Sequence, residues 1–315
     1  MLAEIAGIKD EILKRRKHGF TSVFFNFKNM NEDFWKILKN YVDMVKFCAC
    51  ISFFIDDDTF NSRISFLKSL GISLNFDVSY ATGKISVIKL ARYLKSIGFD
   101  FIEFNVIPGK ESYIEEFSLI DSLKSLDLKV IVKITKPYKE RKIRNKEIVE
   151  VACMFLEKNI EFVSLEGGIL GRDTLIYDSN GNIIWDRVID LVNAIPLEKI
   201  LFEAPLWKQQ AELIAEFGPN IGISNVNPED VLYLEALRYG LSTGHFPETT
   251  KIELTPSAKF VYYVLKKLGP MDAPQIAYTT GLPGRTVREA IKILNEKGLI
   301  LEVKKVGKRR VWKAV

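Results

Sequence analysis

The chain has few of the residues that build metal and redox centres. Its 315 residues include three cysteines (Cys48, Cys50, Cys153) and two histidines (His18, His245). An odd number of cysteines with no paired spacing gives no disulfide framework, and two histidines cannot complete a Cys/His zinc site. Any metal would be a hard cation on carboxylates. No apolar run approaches the roughly 18 residues of a membrane span. The opening stretch, residues 1–19, has acids spread through it and no signal-peptide layout, so it reads as an amphipathic helix of a cytoplasmic protein. The G-x-x-x-x-G-K pattern is also missing, which leaves "SNGN" (179–182) as a turn and not a phosphate loop.

Acids are scarce in one part of the chain. From Pro256 to Val315 there are 13 Lys/Arg against 4 Asp/Glu, although the net charge of the whole chain is only +5. Such a split between parts of one chain predicts that the tail meets a polyanion.

The first 240 residues hold short runs rich in Val, Ile and Phe: 20–25, 44–49, 71–76, 99–104, 128–134, 161–166, 199–203 and 220–224. Segments with a 3.6-residue period separate them, many followed by Gly or Asn as a helix stop. Alternating strands and helices predict parallel βαβ units, and eight of them predict a (β/α)8 barrel, with a doubly wound open sheet as the competing fold. Alternate strand residues face the barrel axis, and chemistry belongs at the carboxyl ends of the strands. At period two, Lys46, Glu103, Lys133, Glu166 and Glu203 all face inward near those ends, with Lys136 and Asn225 in the adjoining loops. Two readings of this ring stay open. It lines a pocket mouth that holds a divalent cation and a phosphate or carboxylate, or its members neutralise one another. "CAC" (48–50) reads as the end of strand two, with Cys48 and Cys50 as small inward residues. Trp185 and Trp207 read as helix packing.

The pattern changes after residue 255. Thr255 and Pro256 are placed to start a helix (257–269), followed by a short helix (272–282), a longer one (283–300) and two strands around a basic turn. This order resembles the winged helix-turn-helix family, whose third helix enters the major groove of DNA and whose wing meets the backbone or minor groove. The resemblance implies DNA contacts from Arg285, Thr286, Arg288 and Lys292 on the third helix, and from Lys305, Lys308, Arg309 and Arg310 on the wing. The expected domains are 1–248 and 249–315. The way winged helices bind palindromes implies a homo-oligomer.

The segment 200–246 closely resembles the last third of the phosphosulfolactate synthase family. The match is carried by Phe202-Glu203-Ala204-Pro205, Gln209-Gln210, Phe217-Gly218, Asn225, and Glu235 with Leu237-Arg238. Weaker similarity extends over about residues 15–250, through Lys46, Glu103, Lys136 and Glu166. The resemblance implies a (β/α)8 barrel that adds sulfite to phosphoenolpyruvate with Mg²⁺, an early step in one route to coenzyme M. It also implies catalytic roles for Lys136, Lys46, Glu203 and Glu166, ligand binding by Glu103 and Asn225, and Mg²⁺ on Glu103, Glu166 and Glu203, while Lys133 and Arg172, which lie outside the family pattern, are ligand-binding candidates because they replace part of its lost positive charge. The chain departs from the family pattern in several places. Lys133 replaces a glutamate, "EGGIL" (166–170) lacks an arginine and a glutamate, and "LRYGLS" (237–242) lacks two arginines. Two polyanionic substrates call for several arginines, whose planar fork matches phosphate and carboxylate. On that ground the expected function is a DNA-binding transcriptional regulator whose degenerate barrel senses a small phosphorylated or sulfonated acid. The alternative is an active synthase.

Overall fold

The computed structural model describes residues 19–27, 31–79, 81, 85–136, 143–241, 254–296, 299–306 and 309–314. The chain divides into two compact units, Met1–Phe246 and Pro247–Val315. The helix expected over residues 1–19 lies almost wholly outside the described residues, as do His18, His245 and Lys308.

The first unit is a closed barrel of eight parallel strands that pair in chain order. They are β1 (Thr21–Phe24), β2 (Met44–Cys48), β3 (Ser73–Asp77), β4 (Phe101–Val106), β5 (Lys129–Ile134), β6 (Phe162–Leu165), β7 (Ile200–Glu203) and β8 (Gly222–Val226). β1 closes onto β8, so no strand edge is left open and the open-sheet alternative is excluded. The helices are α1 (Glu32–Leu38), α2 (Ala49–Ser52), α3 (Asp57–Ser69), α4 (Val87–Ser96), α5 (Ile114–Ser125), α6 (Asn145–Leu156), α7 (Trp185–Ala194), α8 (Trp207–Phe217) and α9 (Val231–Arg238). Side-chain caps start several of them. Asn31 accepts from the Asp33 and Phe34 N–H groups, and Asp56 accepts from the Thr59 N–H.

Strand period explains the packing. One set of alternating residues (Val45, Ile102, Val132, Val163, Phe202) joins the core between barrel and helices. The other set points to the axis, where Phe20, Met44, Phe101, Ile131, Phe162 and Leu201 close the bottom of the barrel as a separate apolar cluster. Two residues further along each strand, the inward positions are Ser22, Lys46, Asn75, Glu103, Lys133, Ser164, Glu203 and Ser224. All of these are polar and all are buried. An entirely polar layer above an apolar plug is costly unless its groups satisfy one another.

Some boundaries differ from expectation. β2 ends at Cys48, and Ala49 and Cys50 already belong to α2, so "CAC" straddles a strand-to-helix junction. β8 runs on to Val226, which pairs with Val23 after a register shift, so Asn225 is a strand residue and not a loop residue. Trp185 packs on Phe217 at 6.1 Å, but Trp207 opens α8 at the surface and is 40% exposed.

The second unit consists of α10 (Pro256–Leu268), β9 (Met271–Asp272), α11 (Ala273–Thr280), α12 (Gly284–Glu296), β10 (Ile300–Val306) and β11 (Arg309–Ala314). The strands form an antiparallel sheet in the order β10-β11-β9. Thr255 Oγ1 caps α10 by accepting the Ala258 N–H, with Pro256 at the first helical position. Asp272 and Gln275 form a capping box on α11. Val261, Leu265, Ile276, Val287, Ile291, Leu294 and Trp312 make this unit's own apolar core.

Candidate active site

The polar layer is organised around two buried lysines. Lys46 Nζ on β2 donates to Glu203 Oε1 on β7 at 2.7 Å and to Glu103 Oε1 on β4 at 3.0 Å. Lys133 Nζ on β5 donates to Asp77 Oδ2 on β3 at 2.5 Å and lies 3.6 Å from Glu103 and 3.7 Å from Glu203. Asn75 Nδ2 donates to Glu103 Oε2 at 2.6 Å. Two lysines therefore face three carboxylates. Of the two readings left open by the sequence, the structure realises the second for Lys46, Glu103, Lys133 and Glu203, which form a neutralising network inside the barrel.

The network sets the charge states of its members. Burial opposes the ammonium of Lys46, but Glu103 and Glu203 outweigh it and raise its pKa above the ordinary value. Burial opposes the charge on Lys133 as well, yet Asp77, Glu203 and Glu103 hold it well above the ordinary range. Burial works against the Glu203 carboxylate, but Lys46 and Lys133 prevail, helped by hydrogen bonds, and lower its pKa to about 2. Asp77 is also lowered, because Lys133 and Lys46 override its burial. Glu103 goes the other way. Its burial is not fully offset by the lysines, and the neighbouring Asp77 and Glu203 charges add to the upward push. Environments that drive neighbouring carboxyls apart in this way often mark acid/base sites.

Glu203 is also fixed from above. Its Oε2 accepts the backbone N–H groups of Gly167 and Gly168, both at 2.9 Å. Tyr177 donates its hydroxyl to the Glu203 carbonyl at 2.9 Å, and burial raises that phenol's pKa well above its usual value. A Cβ on Gly167 would overlap the Glu203 carbonyl and the Tyr177 ring, so the backbone can approach this closely only at glycine. A carboxylate at the end of an apolar strand is thus stabilised by two lysines and two backbone donors.

The rim differs from the layer beneath it. Lys136, just beyond β5, is exposed; its backbone N–H donates to Glu166 Oε2 at 2.9 Å and its Nζ to Asp173 Oδ1 at 2.6 Å. Arg172 is exposed in the segment after β6. Asn225 sits at φ 58°, an uncommon value for a non-glycine residue in a strand. Its Nδ2 donates to the Gly168 carbonyl at 3.2 Å, while its Oδ1 is buried with no partner among the described residues. Backbone strain beside an unsatisfied acceptor at a strand end is typical of functional positions. The Oγ atoms of Ser22, Ser164 and Ser224 likewise have no partner among the described residues.

The three-carboxylate Mg²⁺ site expected on Glu103, Glu166 and Glu203 does not fit these residues. Lys46 takes an oxygen of both Glu103 and Glu203, and Glu166 turns an oxygen to the Lys136 N–H. Among the described residues no cluster of three or more such ligands is placed to hold a metal ion. Sequence reading also missed several members of the site. Asn75 lies at period two inside the apolar run 71–76, a signal as clear as those used for the other strands, whereas Asp77 falls one residue past that run. The serines carry none. The Cys48–Cys50 disulfide was missed too, since a count of three offered no framework.

The arginines missing from "LRYGLS" acquire a different meaning. Arg238, the one retained, is buried at the amino ends of the strands. It donates to the carbonyls of Pro219 and Ile221 and lies 3.4 Å from Thr21 Oγ1. Tyr239, at one of the substituted positions, is its immediate neighbour in the chain. The strands' carboxyl ends, where barrel enzymes work, are at the opposite end. The retained arginine of this motif thus serves the amino end of the barrel, and Ser242, the other substituted position, lies outside the described residues.

In the second unit, Arg285, Arg288 and Lys292 are exposed along α12, with Lys292 3.9 Å from Glu296. Thr286 on the same helix is half-buried. Lys305 is exposed on β10. Arg309 and Arg310 approach acids of their own unit, Asp272 at 3.6 Å and Glu302 at 3.5 Å. No helix among the described residues is long and apolar enough to cross a membrane.

Comparison with known proteins bears on the two functional readings. Residues 9–243 match the model of the (2R)-phospho-3-sulfolactate synthase (ComA) family. The phosphosulfolactate synthase of Methanocaldococcus jannaschii is 26% identical over 217 residues, covering 67% of this chain and 86% of that protein. The enzyme of the same name from Methanothermobacter thermautotrophicus is 26% identical over 239 residues (72% and 91%), and that of Bacillus subtilis 27% over 221 (66% and 83%). These relatives overturn the expected regulator with a ligand-sensing barrel, because each carries the name of the enzyme. A closed parallel barrel, an ionised polar layer and a match spanning most of the chain agree on one assignment: the chain belongs to the (2R)-phospho-3-sulfolactate synthase family.

Proposed function

We propose that the barrel is a phosphosulfolactate synthase, a lyase-class enzyme that joins sulfite to phosphoenolpyruvate. The observation that carries this reading is the family match over residues 9–243, which includes every residue of the buried network. The sulfur lone pair of sulfite attacks the methylene carbon of phosphoenolpyruvate and a C–S bond forms. The π pair of the C=C bond moves toward the adjacent carboxylate, a proton is delivered to the carbon bearing the phosphate, and the phosphate ester stays intact.

In this reading Lys136 Nζ is the proton donor, since the residue is exposed at the carboxyl end of β5, its backbone N–H held by Glu166 and its Nζ by Asp173. Arg172 and Lys136 supply positive charge to the anionic substrates. The buried network of Lys46, Glu103, Lys133 and Glu203 acts from below. It fixes Glu203, and through it the Gly167–Gly168 backbone, against which Asn225 is also set. No step is routed through Mg²⁺, which the expected carboxylates do not fit.

The test is phosphoenolpyruvate-dependent consumption of sulfite by the full-length chain, with and without magnesium chloride. Wild type should consume both substrates together. Lys136→Ala should lose 10²-fold or more of kcat while keeping its thermal unfolding midpoint. Full activity in Lys136→Ala would remove that residue from the role.

For the second unit, the finer reading is a winged-helix fold with DNA as the partner, independent of the barrel's chemistry. Its support is the helix–strand–helix–helix–hairpin order and the exposed Arg285, Arg288 and Lys305. Lys292, Arg309 and Arg310 contribute less in this reading, since each approaches an acid nearby. Arg285→Ala with Arg288→Ala should weaken duplex binding and flatten its salt dependence without changing sulfite consumption. An unchanged salt slope would contradict the assignment.

A further inference from the structure

Cys48 and Cys50 are joined by a disulfide with a single residue between them. Cys48 is the last residue of β2, two positions beyond Lys46 on the same inward side, and it pairs in register with Asp77. The bridge therefore lies at the carboxyl end of the barrel, where substrates of barrel enzymes arrive. Its two sulfurs differ in their surroundings. Cys48 is 8% exposed and its Sγ accepts the backbone N–H of Cys50 at 3.3 Å, whereas Cys50 is exposed. The third cysteine, Cys153, is a free thiol in α6.

We propose that the Cys48–Cys50 disulfide is a covalent sulfite site, in which sulfite opens the bridge and remains on Cys50 as an S-sulfonate. The sulfite lone pair forms a new S–S bond to Cys50 Sγ. The Cys48–Cys50 bond breaks, and its electron pair leaves on Cys48 as a thiolate. Two negative charges enter with sulfite and two remain, one on the sulfonate and one on the thiolate. No oxidant, reductant or proton is needed.

The direction of attack follows from access and from the leaving group, which govern all displacements at a disulfide. The exposed Cys50 sulfur is the one a solvent anion reaches. The Cys48 sulfur is the better leaving group, because its thiolate keeps the Cys50 N–H bond. A bridge that closes over one residue also removes little entropy from the unfolded chain, so opening it costs the fold little.

The choice of sulfite as nucleophile rests on the proposed synthase reaction, but the test does not, because phosphoenolpyruvate is left out. Intact full-length chain is treated with sodium sulfite under non-reducing conditions, then weighed by mass spectrometry, mapped by peptide and titrated for free thiols. The expected result is a mass gain of one sulfonate per chain, located on Cys50, with one additional titratable thiol beyond Cys153. Cys50→Ser, a change at an exposed position, should take up no sulfonate. Three free thiols before treatment, no mass gain after it, or a sulfonate found on Cys48 would each overturn the proposal. Sulfonation by a chain that makes no phosphosulfolactate would sink the synthase reading and leave this one standing.

Discussion

Lys46 and Glu203 lie 157 positions apart in the chain and meet at 2.7 Å across the barrel axis, both almost wholly buried. The pair ties β2 to β7 and brings Glu203 Oε2 under the Gly167 and Gly168 N–H groups. Breaking a buried pair by removing one partner leaves an uncompensated charge and costs about 3–5 kcal/mol.

Glu203→Gln should lower stability near neutral pH by about that amount. The pH dependence gives the sign. The folded pKa of Glu203 is lowered to about 2 from an ordinary 4.5, so its stabilisation is present above 4.5 and is lost as pH falls toward 2. The stability gap between wild type and variant should therefore narrow across that acid window in denaturant titrations. A gap constant with pH would show that Glu203 is not held as a low-pKa carboxylate.

Glu103 should behave in the opposite sense. Its folded pKa is raised above 4.5 by burial, so it costs stability once pH passes its unfolded value. Glu103→Gln should be close to neutral at pH 7, or slightly stabilising, although the residue is as buried as Glu203. Infrared difference spectra of wild type against this variant should contain a protonated-carboxyl band at pH values where Glu203 gives none. A loss as large as that of Glu203→Gln would contradict the assignment.

Arg238→Ala tests the placement of the family's arginines. Its guanidinium satisfies the carbonyls of Pro219 and Ile221, and each buried acceptor left unpaired costs about 1–3 kcal/mol. The unfolding midpoint should fall while the KM for phosphoenolpyruvate stays where it was. A KM rise at unchanged stability would place this residue in substrate binding.

The barrel was legible because its signal is local. Eight apolar runs separated by helical periods specify a parallel sheet, and period two names the inward residues Lys46, Glu103, Lys133 and Glu203 from the strand text alone. Whether those residues would face an open pocket or one another depended on their depth along the axis. That depth is set by strand stagger, which neither composition nor spacing encodes. Asp77 escaped because β3 runs one residue beyond the apolar run that marked it. The functional error had a comparable cause. The expected regulator rests on missing arginines, yet the arginine that its last motif retains, Arg238, is anchored at the amino ends of the strands, beside Phe20 and Ile221. A motif gives an order of residues, and the fold decides which end each one serves.

The measurement that tests the central claim most directly is a phosphorus NMR time course. It uses the full-length chain at high concentration with phosphoenolpyruvate, sulfite and magnesium chloride. The account predicts that the phosphoenolpyruvate signal decays into a new phosphomonoester signal and that no inorganic phosphate appears, because the ester is never cleaved. A spectrum in which phosphoenolpyruvate persists unchanged, or decays only to free phosphate, would contradict it.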